Sequence, residues 1–314
     1  MSQVKVSVIV PIYNVEEYIE KCVRTLFEQT LDDMEYIFVD DCSPDGSMAV
    51  VEKVLADYPH RRHQVKIIRH DENKGVSRSR QDGFDASTGE YVIHCDPDDW
   101  VERDMYELMY SKAMADDADI VGCNYVLEYP EKSVAVSQDF SHEGEDAVIA
   151  ILSGKLHSGL WERMIRRRFI TEQNVTFADE ITFMEDMLYV MPLHDAAAKV
   201  SYVDKALYHY RMRGDSAINM YTKAKYDSVI KVFDRLKDYC RSEACEQQRL
   251  KTVASQTLGL ITRPETYDPV LWRKATYGVP MEYFGSARHQ LSPFLVRNGL
   301  DLLNLWVIKL YRKL

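Results

Sequence analysis

From Val6 to about Tyr129, short apolar runs alternate with helical patterns, and this rhythm constrains the fold more than any other feature of the chain. "VSVIVPIY" (Val6–Tyr13) is β-rich and nearly all apolar, the pattern of a strand buried on both faces. "NVEEYIEKCVRTLFEQT" reads as a helix, with Asn14 as its cap and Glu16 and Glu17 at the positive end of its dipole. Ile19, Val23, Leu26 and Phe27 fall on one face of it. "EYIFVDD" is a second buried strand ending in Asp40 and Asp41. "SPDGS" then turns the chain into a helix that runs to about Tyr58. "VKIIRH" and "EYVIHC" are further strands, with "NKGVSRSRQDGFDAS" between them as loop and helix. "RDMYELMYSKAMAD" is a helix and "DIVGCNYVLEY" a fifth strand. The alternation predicts βαβ units, right-handed crossovers and a mostly parallel sheet.

After Tyr129 the pattern loosens. "HEGEDAVIAIL" is helical, "LWERMIRRRFI" reads as a basic helix and "FMEDMLYVMPLHDAA" as another. "KVSYVDKALYHYRMR" supplies one or two strands. From about Ser216 the chain is helical, most clearly in "TKAKYDSVIKVFDRLKDYCRSEA". The expected division is therefore a catalytic α/β domain over 1–215 and a helical region over 216–314. With 46% hydrophobic residues the chain can fill a core, and its net charge of −11 argues against a nucleic-acid partner bound through the overall field. The six cysteines form no C-x-x-C pair, which disfavours a zinc site and suits buried, reduced thiols in a cytoplasmic protein. The N-terminal apolar run is too short for a signal peptide, and no segment reaches the ~18 apolar residues of a membrane span.

Ligands on parallel sheets sit outside the carboxyl ends of the strands. The polar residues of this chain concentrate there: Pro11 to Asn14, Asp40-Asp41 and Asp96-Pro97-Asp98-Asp99. An Asp-rich turn is more often a solvated loop or a helix cap. Here the strand end, the shared crevice and the second acidic pair favour a bound cation. Hard carboxylate oxygens suit Mg²⁺ or Mn²⁺, which keep waters and take phosphate oxygens. The Asp40-Asp41 carboxylates could accept the N–H donors of a nucleotide base or cap the next helix. Tyr13 could pack or stack on a base. Lys74, Arg78 and Arg80 could balance a diphosphate. Of the adjacent Glu185 and Asp186, one would face the site, and His209 could meet a phosphate or metal. No G-x-G-x-x-G follows the first strand and no P-loop is present, against a Rossmann dinucleotide site and a P-loop NTPase.

Taken in order, "VSVIVPIYNVEEYIEKCVRTLFEQT", "DDCSPDGS", "NKGVSRSRQDGFDASTGEYVIHCDPDDW" and "FMEDM" resemble the family 2 glycosyltransferases. The resemblance runs from Val6 to about Asp104 and continues weakly to about Arg213. It implies a GT-A fold, with a mixed, mostly parallel sheet between helices, and a nucleotide-sugar donor, most often a UDP-sugar. By similarity Pro11, Tyr13 and Asp41 would hold the base, with Asp40 beside them. Lys74, Arg80 and Asp96 would lie on the nucleotide side. Asp96 and Asp98 match the D-x-D that holds Mn²⁺ or Mg²⁺. Asp186 of the E-D pair with Glu185 would be the general base, and the acceptor side would be lined by Trp161, Asp99 and His209. Processive members carry Q-x-x-R-W and several membrane spans, and this chain has neither. The resemblance thus implies inverting transfer of one or a few sugars to a glycan or lipid-linked acceptor. Two alternatives stand beside it: a metal-dependent nucleotidyltransferase or phosphohydrolase, and a degenerate homologue that only binds sugar nucleotide.

The C-terminal segment Gly285–Leu314 holds Arg288, Arg297, Lys309, Arg312 and Lys313 against the single acid Asp301. Its net charge of +4 leaves −15 for the rest of the chain. Leu295, Leu302, Trp306 and Leu310 recur at helical spacing, widened by Leu303 and Val307. Such a helix either docks on the protein's own core or lies peripherally on the inner face of an anionic cytoplasmic membrane.

Overall fold

The computed structural model describes residues 3–213 and 222–311. The first half is built of strands and helices in alternation: β1 (Val6–Ile12), α1 (Ile19–Phe27), β2 (Met34–Asp40), α2 (Ser47–Asp57), β3 (Val65–Arg69), α3 (Val76–Asp85) and β4 (Tyr91–His94). Every residue of β1 and β2 is buried, as their unbroken apolar runs require of strands covered on both faces. β3, β2, β1 and β4 pair in parallel in that order. The helix α1 turns Ile19, Cys22, Val23, Leu26 and Phe27 inward. Gly83 lets α3 lie close on β1, since a Cβ there would come within 2.4 Å of the Ile9 side chain.

Asn14 is not the cap of α1. It adopts a left-handed conformation (φ 54°), and its N–H donates to Ser43 Oγ at 2.8 Å, bracing the loop after β1 against the turn after β2. The helix starts only after Tyr18, because the intervening Glu16 is engaged by the same turn through Asp45 and Gly46.

The second half is β5 (Trp100–Val101), α4 (Met105–Asp116), β6 (Ile120–Glu128), β7 (Ser133–Val136), α5 (Gly144–Ser153), β8 (Arg163–Arg166), α6 (Arg167–Glu172), α7 (Glu185–Ala196) and β9 (Val200–Arg211). Among the described residues these strands extend the sheet to nine, in the order β3-β2-β1-β4-β8-β6-β9-β5 with β7 on the edge of β6. The stretch expected to be one basic helix at 160–170 is instead a strand followed by a short helix. β8 runs antiparallel between β4 and β6, and all four of its residues are buried. Its arginines mimic a polar helix face in sequence, yet they are paired inside. Arg163 donates to Gly159 O, His157 O and Glu162, and Arg166 to Ala118 O and Asp117.

The C-terminal region comprises α8 (Lys223–Arg235), α9 (Glu243–Thr257), α10 (Gly259–Thr262), α11 (Pro269–Ala275), α12 (Ala287–Arg297) and α13 (Asp301–Tyr311). The longest helical pattern divides into α8 and α9, because Ser242 caps a new helix by accepting from the Cys245 N–H. Tyr226, Val229, Val232 and Trp272 share one apolar cluster with Ile9, Ile37 and Val39 of the sheet. The expected boundary near residue 215 lies outside the described residues. Cys22, Cys95, Cys123 and Cys245 are buried, but Cys42 is exposed and Cys240 half-buried, so the thiols are not uniformly interior. Among the described residues no helix is long and apolar enough to cross a membrane.

Candidate active site

The carboxyl ends of β1, β2 and β4 open into a cleft of about 840 Å³, the size of a nucleotide-scale ligand site. β1 contributes Pro11, Ile12 and the residue after it, Tyr13, whose ring is 48% exposed. Asp41 follows β2, and Asp96, Pro97 and Asp98 follow β4. Asn73, Gly75, Val76, Ser79 and Arg80 line the wall formed by α3 and the loop before it.

Asp41 holds that loop. Its carboxylate accepts the N–H groups of Lys74 and Gly75, both at 2.8 Å, and lies 2.7 Å from His70 Nδ1. Gly75 needs φ +87°, a left-handed value that a side chain would strain. Asp41 therefore shapes the wall of the cleft as well as facing into it.

Arg80 is buried and links two parts of the floor: it donates to Asp96 at 3.0 Å and to Glu185. Burial works against its charge, but the carboxylates of Asp96, Glu185 and Asp186 outweigh that and raise its pKa. Among the described residues its Nε has no hydrogen-bond partner, so one donor of the guanidinium is left over inside the site. Asp98 sits 3.3 Å from Arg213 Nε, and its backbone carbonyl accepts from Arg211. Burial first, and then the charge of Asp96, raise the pKa of Asp98.

The opposite wall comes from two loops that precede β8 and α7. His157, Ser158 and Trp161 belong to the first, and Thr182 to Asp186 to the second. Met184 takes a left-handed conformation (φ 64°) and turns the chain into α7, which sets Glu185 and Asp186 in its first turn. That backbone is strained for a residue with a side chain, as is common where a site is built. Glu185 is spent on Arg80. Asp186 is not: its carboxylate accepts its neighbour's Met187 N–H at 2.7 Å and lies 3.4 Å from Ser158 Oγ. Burial and the nearby Glu185 push its pKa up to about 6, against the pull of His157 and Arg80. Such a carboxylate is ionised near neutrality yet basic enough to take a proton.

Several expected site residues lie elsewhere. Asp99 is buried, accepting from Tyr208 Oη at 2.7 Å and the Arg211 N–H at 2.7 Å, so it ties the β4 loop to β9 and does not line the cleft. His209 sits between Glu102 and Glu128 and stacks on Trp100, outside the cleft lining. Asp40 accepts the Ser43 N–H and pairs with Arg69 on β3, outside the cleft lining. The Lys74 side chain is exposed and does not line the cleft; its backbone N–H is what the site uses. Arg78 pairs with Asp82 one turn on. Pro11, Tyr13, Asp41, Arg80, Asp96, Asp98, Trp161, Glu185 and Asp186 do converge.

The cleft also contains His157, Ser158, Tyr210, Arg213, Lys225, Tyr226 and Gln256, which sequence reasoning did not single out. Arg213 ends the "YHYRMR" run and carried a basic signal. Ser158 and Gln256 carry none. As for a metal, among the described residues no three His, Cys, Asp or Glu side chains form a closed cage. Asp96 and Asp98 instead offer two hard oxygen donors on an open cleft. That arrangement suits a divalent ion that keeps water and phosphate ligands, and the mutual repulsion at Asp98 is what a cation would relieve.

A parallel half-sheet with acidic residues at its carboxyl ends, continued by antiparallel strands, is the GT-A arrangement of glycosyltransferases. The model of "Glycosyl transferase family 2" matches residues 7–178. The EpsH protein of Bacillus subtilis is 33% identical over 236 residues, which cover 73% of this chain and 67% of that protein. The cholesterol galactosyltransferase of Borreliella burgdorferi is 33% identical, over 70% of this chain and 64% of its own length. The matched segment thus spans about two thirds of these relatives. The crystal structure of S. aureus TarS 1-349 in complex with UDP-GlcNAc has the same fold. Its TM-score is 0.72 at 21% identity, covering 98% of this chain and 92% of that one. This chain belongs to glycosyl transferase family 2, and it is a glycosyltransferase.

Proposed function

We propose that the chain transfers a sugar from a UDP-sugar to a hydroxyl of a glycan or lipid-linked acceptor. It does so with inversion, one or a few sugars at a time, and with a divalent metal, Mn²⁺ or Mg²⁺. The observation that carries this reading is a single cleft holding three kinds of group: Tyr13 and Asp41 at one end, the Asp96 and Asp98 pair in the middle, and Asp186 opposite. TarS, which shares the fold, has been seen with UDP-GlcNAc, and a relative is named for galactosyl transfer to cholesterol, a lipid hydroxyl.

In this reading Pro11 and Tyr13 pack against the base, and Asp41 holds the loop that encloses it. Asp96 and Asp98 would hold the metal, which when bound supplies positive charge to the departing diphosphate. Arg80 fixes Asp96 against Glu185, so the donor side and the base are set by one cation. Asp186 takes the proton from the acceptor hydroxyl as that oxygen attacks C1, worth typically ~10²–10⁴-fold. The C1–O bond to UDP breaks on the opposite face, and the anomeric carbon inverts. A retaining double displacement needs a second free carboxylate beneath C1; Glu185, the nearest to Asp186 in sequence, is committed to Arg80. Use of a nucleotide sugar suits a cytoplasmic site of action.

The test is a panel of nucleotide sugars in thermal shift with Mn²⁺ present. A donor at 100 times its Kd should stabilise the fold by ~2.7 kcal/mol. No response to any uridine nucleotide, with a response to another nucleotide class, would overturn the UDP assignment.

A further inference from the structure

The helix α13 is docked the wrong way round for a soluble surface. Its inward face carries two polar anchors. Asp301 pairs with Arg273 at 2.8 Å. Asn304, fully buried, donates to Ile261 O at 2.8 Å; Ile308 is buried beside it, and Leu305 and Val307 are half-buried. Its outward face carries Leu302, Leu303, Trp306 and Leu310, with Leu302 84% and Trp306 60% exposed. On α12, Leu291 and Phe294 are exposed as well. Leaving this many large apolar side chains in water is unfavourable, and exposed apolar faces of this kind mark interaction sites.

The charge says what covers the face. Lys309 is exposed among these residues, and Arg312 and Lys313 follow in the sequence. The last thirty residues carry +4 while the rest of the chain carries −15. A second copy of so acidic a protein would be repelled as a whole. An anionic bilayer attracts the basic end, receives the leucines and places a Trp at the headgroup boundary. We infer that α13 is an interfacial anchor, laying its Leu302–Trp306–Leu310 face into an anionic lipid surface while Asp301 and Asn304 hold it to the protein. The anchor does not depend on the donor or the reaction assigned above.

The experiment is vesicle co-sedimentation of the full chain with phosphatidylglycerol or phosphatidylcholine vesicles. The wild type is compared with Leu302→Glu/Trp306→Glu and with Lys309→Glu. All three side chains are exposed, so the variants keep the fold, checked by circular dichroism. The wild type should bind phosphatidylglycerol at least ~10-fold better than phosphatidylcholine and lose that preference at high salt. The double variant should lose at least ~10-fold, and Lys309→Glu about fivefold or more. Trp emission should shift to the blue on binding, and the shift should vanish in Trp306→Phe. Equal binding of the wild type and the double variant, or no binding by either, overturns the anchor. So does a wild-type dimer in sedimentation velocity that the double variant abolishes, since a second copy would then be the occupant.

Discussion

Replacing Arg80 with Met removes the one buried cation that joins the Asp96 side of the cleft to the Glu185 side while keeping most of the side-chain volume. Arg80 is 6% exposed and forms both ion pairs at contact distance. Breaking a buried pair by removing one partner costs about 3–5 kcal/mol, because the remaining charges stay behind uncompensated. Here three carboxylates remain: Asp96, Glu185 and Asp186. Asp186, already raised to about 6 and then without the pull of Arg80, will answer by binding a proton, which caps the cost at about 1.4 kcal/mol for each unit between its folded pKa and the pH. The sign follows from this uptake. Groups whose folded pKa is raised above the unfolded value hold protons that the unfolded chain releases, so the folded state loses ground as pH rises through that interval. Arg80→Met should therefore cost about 3 kcal/mol in urea unfolding at pH 8 and clearly less at pH 5. The acid limb of its turnover profile, set near the Asp186 pKa of about 6 in the wild type, should also move to higher pH. A loss below about 1 kcal/mol at pH 8, or the same loss at both pH values, would refute the electrostatic role.

Asp186→Asn should lower turnover at least ~10²-fold while UDP still binds. Because the Asp186 pKa is raised to about 6, its ionisation weakens the fold as pH rises from about 4, so the same variant should be more stable than wild type by up to about 3 kcal/mol at pH 8 and equal near pH 4, read by urea melts. Asp98→Ala should keep the fold and lose most activity; full activity of this variant, or of wild type in EDTA, counts against the metal. Asp41→Asn turns one of the two oxygens that accept the Lys74 and Gly75 N–H groups into an NH2 donor, so it should weaken UDP affinity more than turnover at saturating donor, and should lower stability by about 1–3 kcal/mol. Unchanged UDP affinity by calorimetry would remove Asp41 from the nucleotide site.

The parallel half of the sheet was legible because its strands are buried on both faces, and unbroken runs such as "VSVIV" have few other uses. β8 was not, since its arginines are satisfied by partners far apart in sequence or hidden in loops, as with Arg166 on the Ala118 carbonyl. Two-residue β5 gives no periodicity to read. The acidic residues at the strand ends were visible as a set, but their division of labour was not. Asp40 and Asp41 are adjacent, and only the register of β2 decides that the first meets Arg69 and the second the Gly75 loop. Asp99 and His209 looked functional by type and were consumed by β9 and Glu128. Ser158 joins the base from a loop with no chemical signature of its own. In α13 the apolar spacing was plain from sequence, but its direction was not, because the Asp301–Arg273 and Asn304–Ile261 contacts turn it outward.

The central claim is that the Asp96 and Asp98 pair binds a nucleoside diphosphate through a divalent cation. Calorimetric titration of UDP into the protein tests it directly, with Mn²⁺, with EDTA, and with Asp98→Ala in Mn²⁺. The account predicts binding in Mn²⁺ that weakens at least ~10-fold in EDTA and to the same degree in Asp98→Ala. UDP binding of equal strength under all three conditions would contradict it.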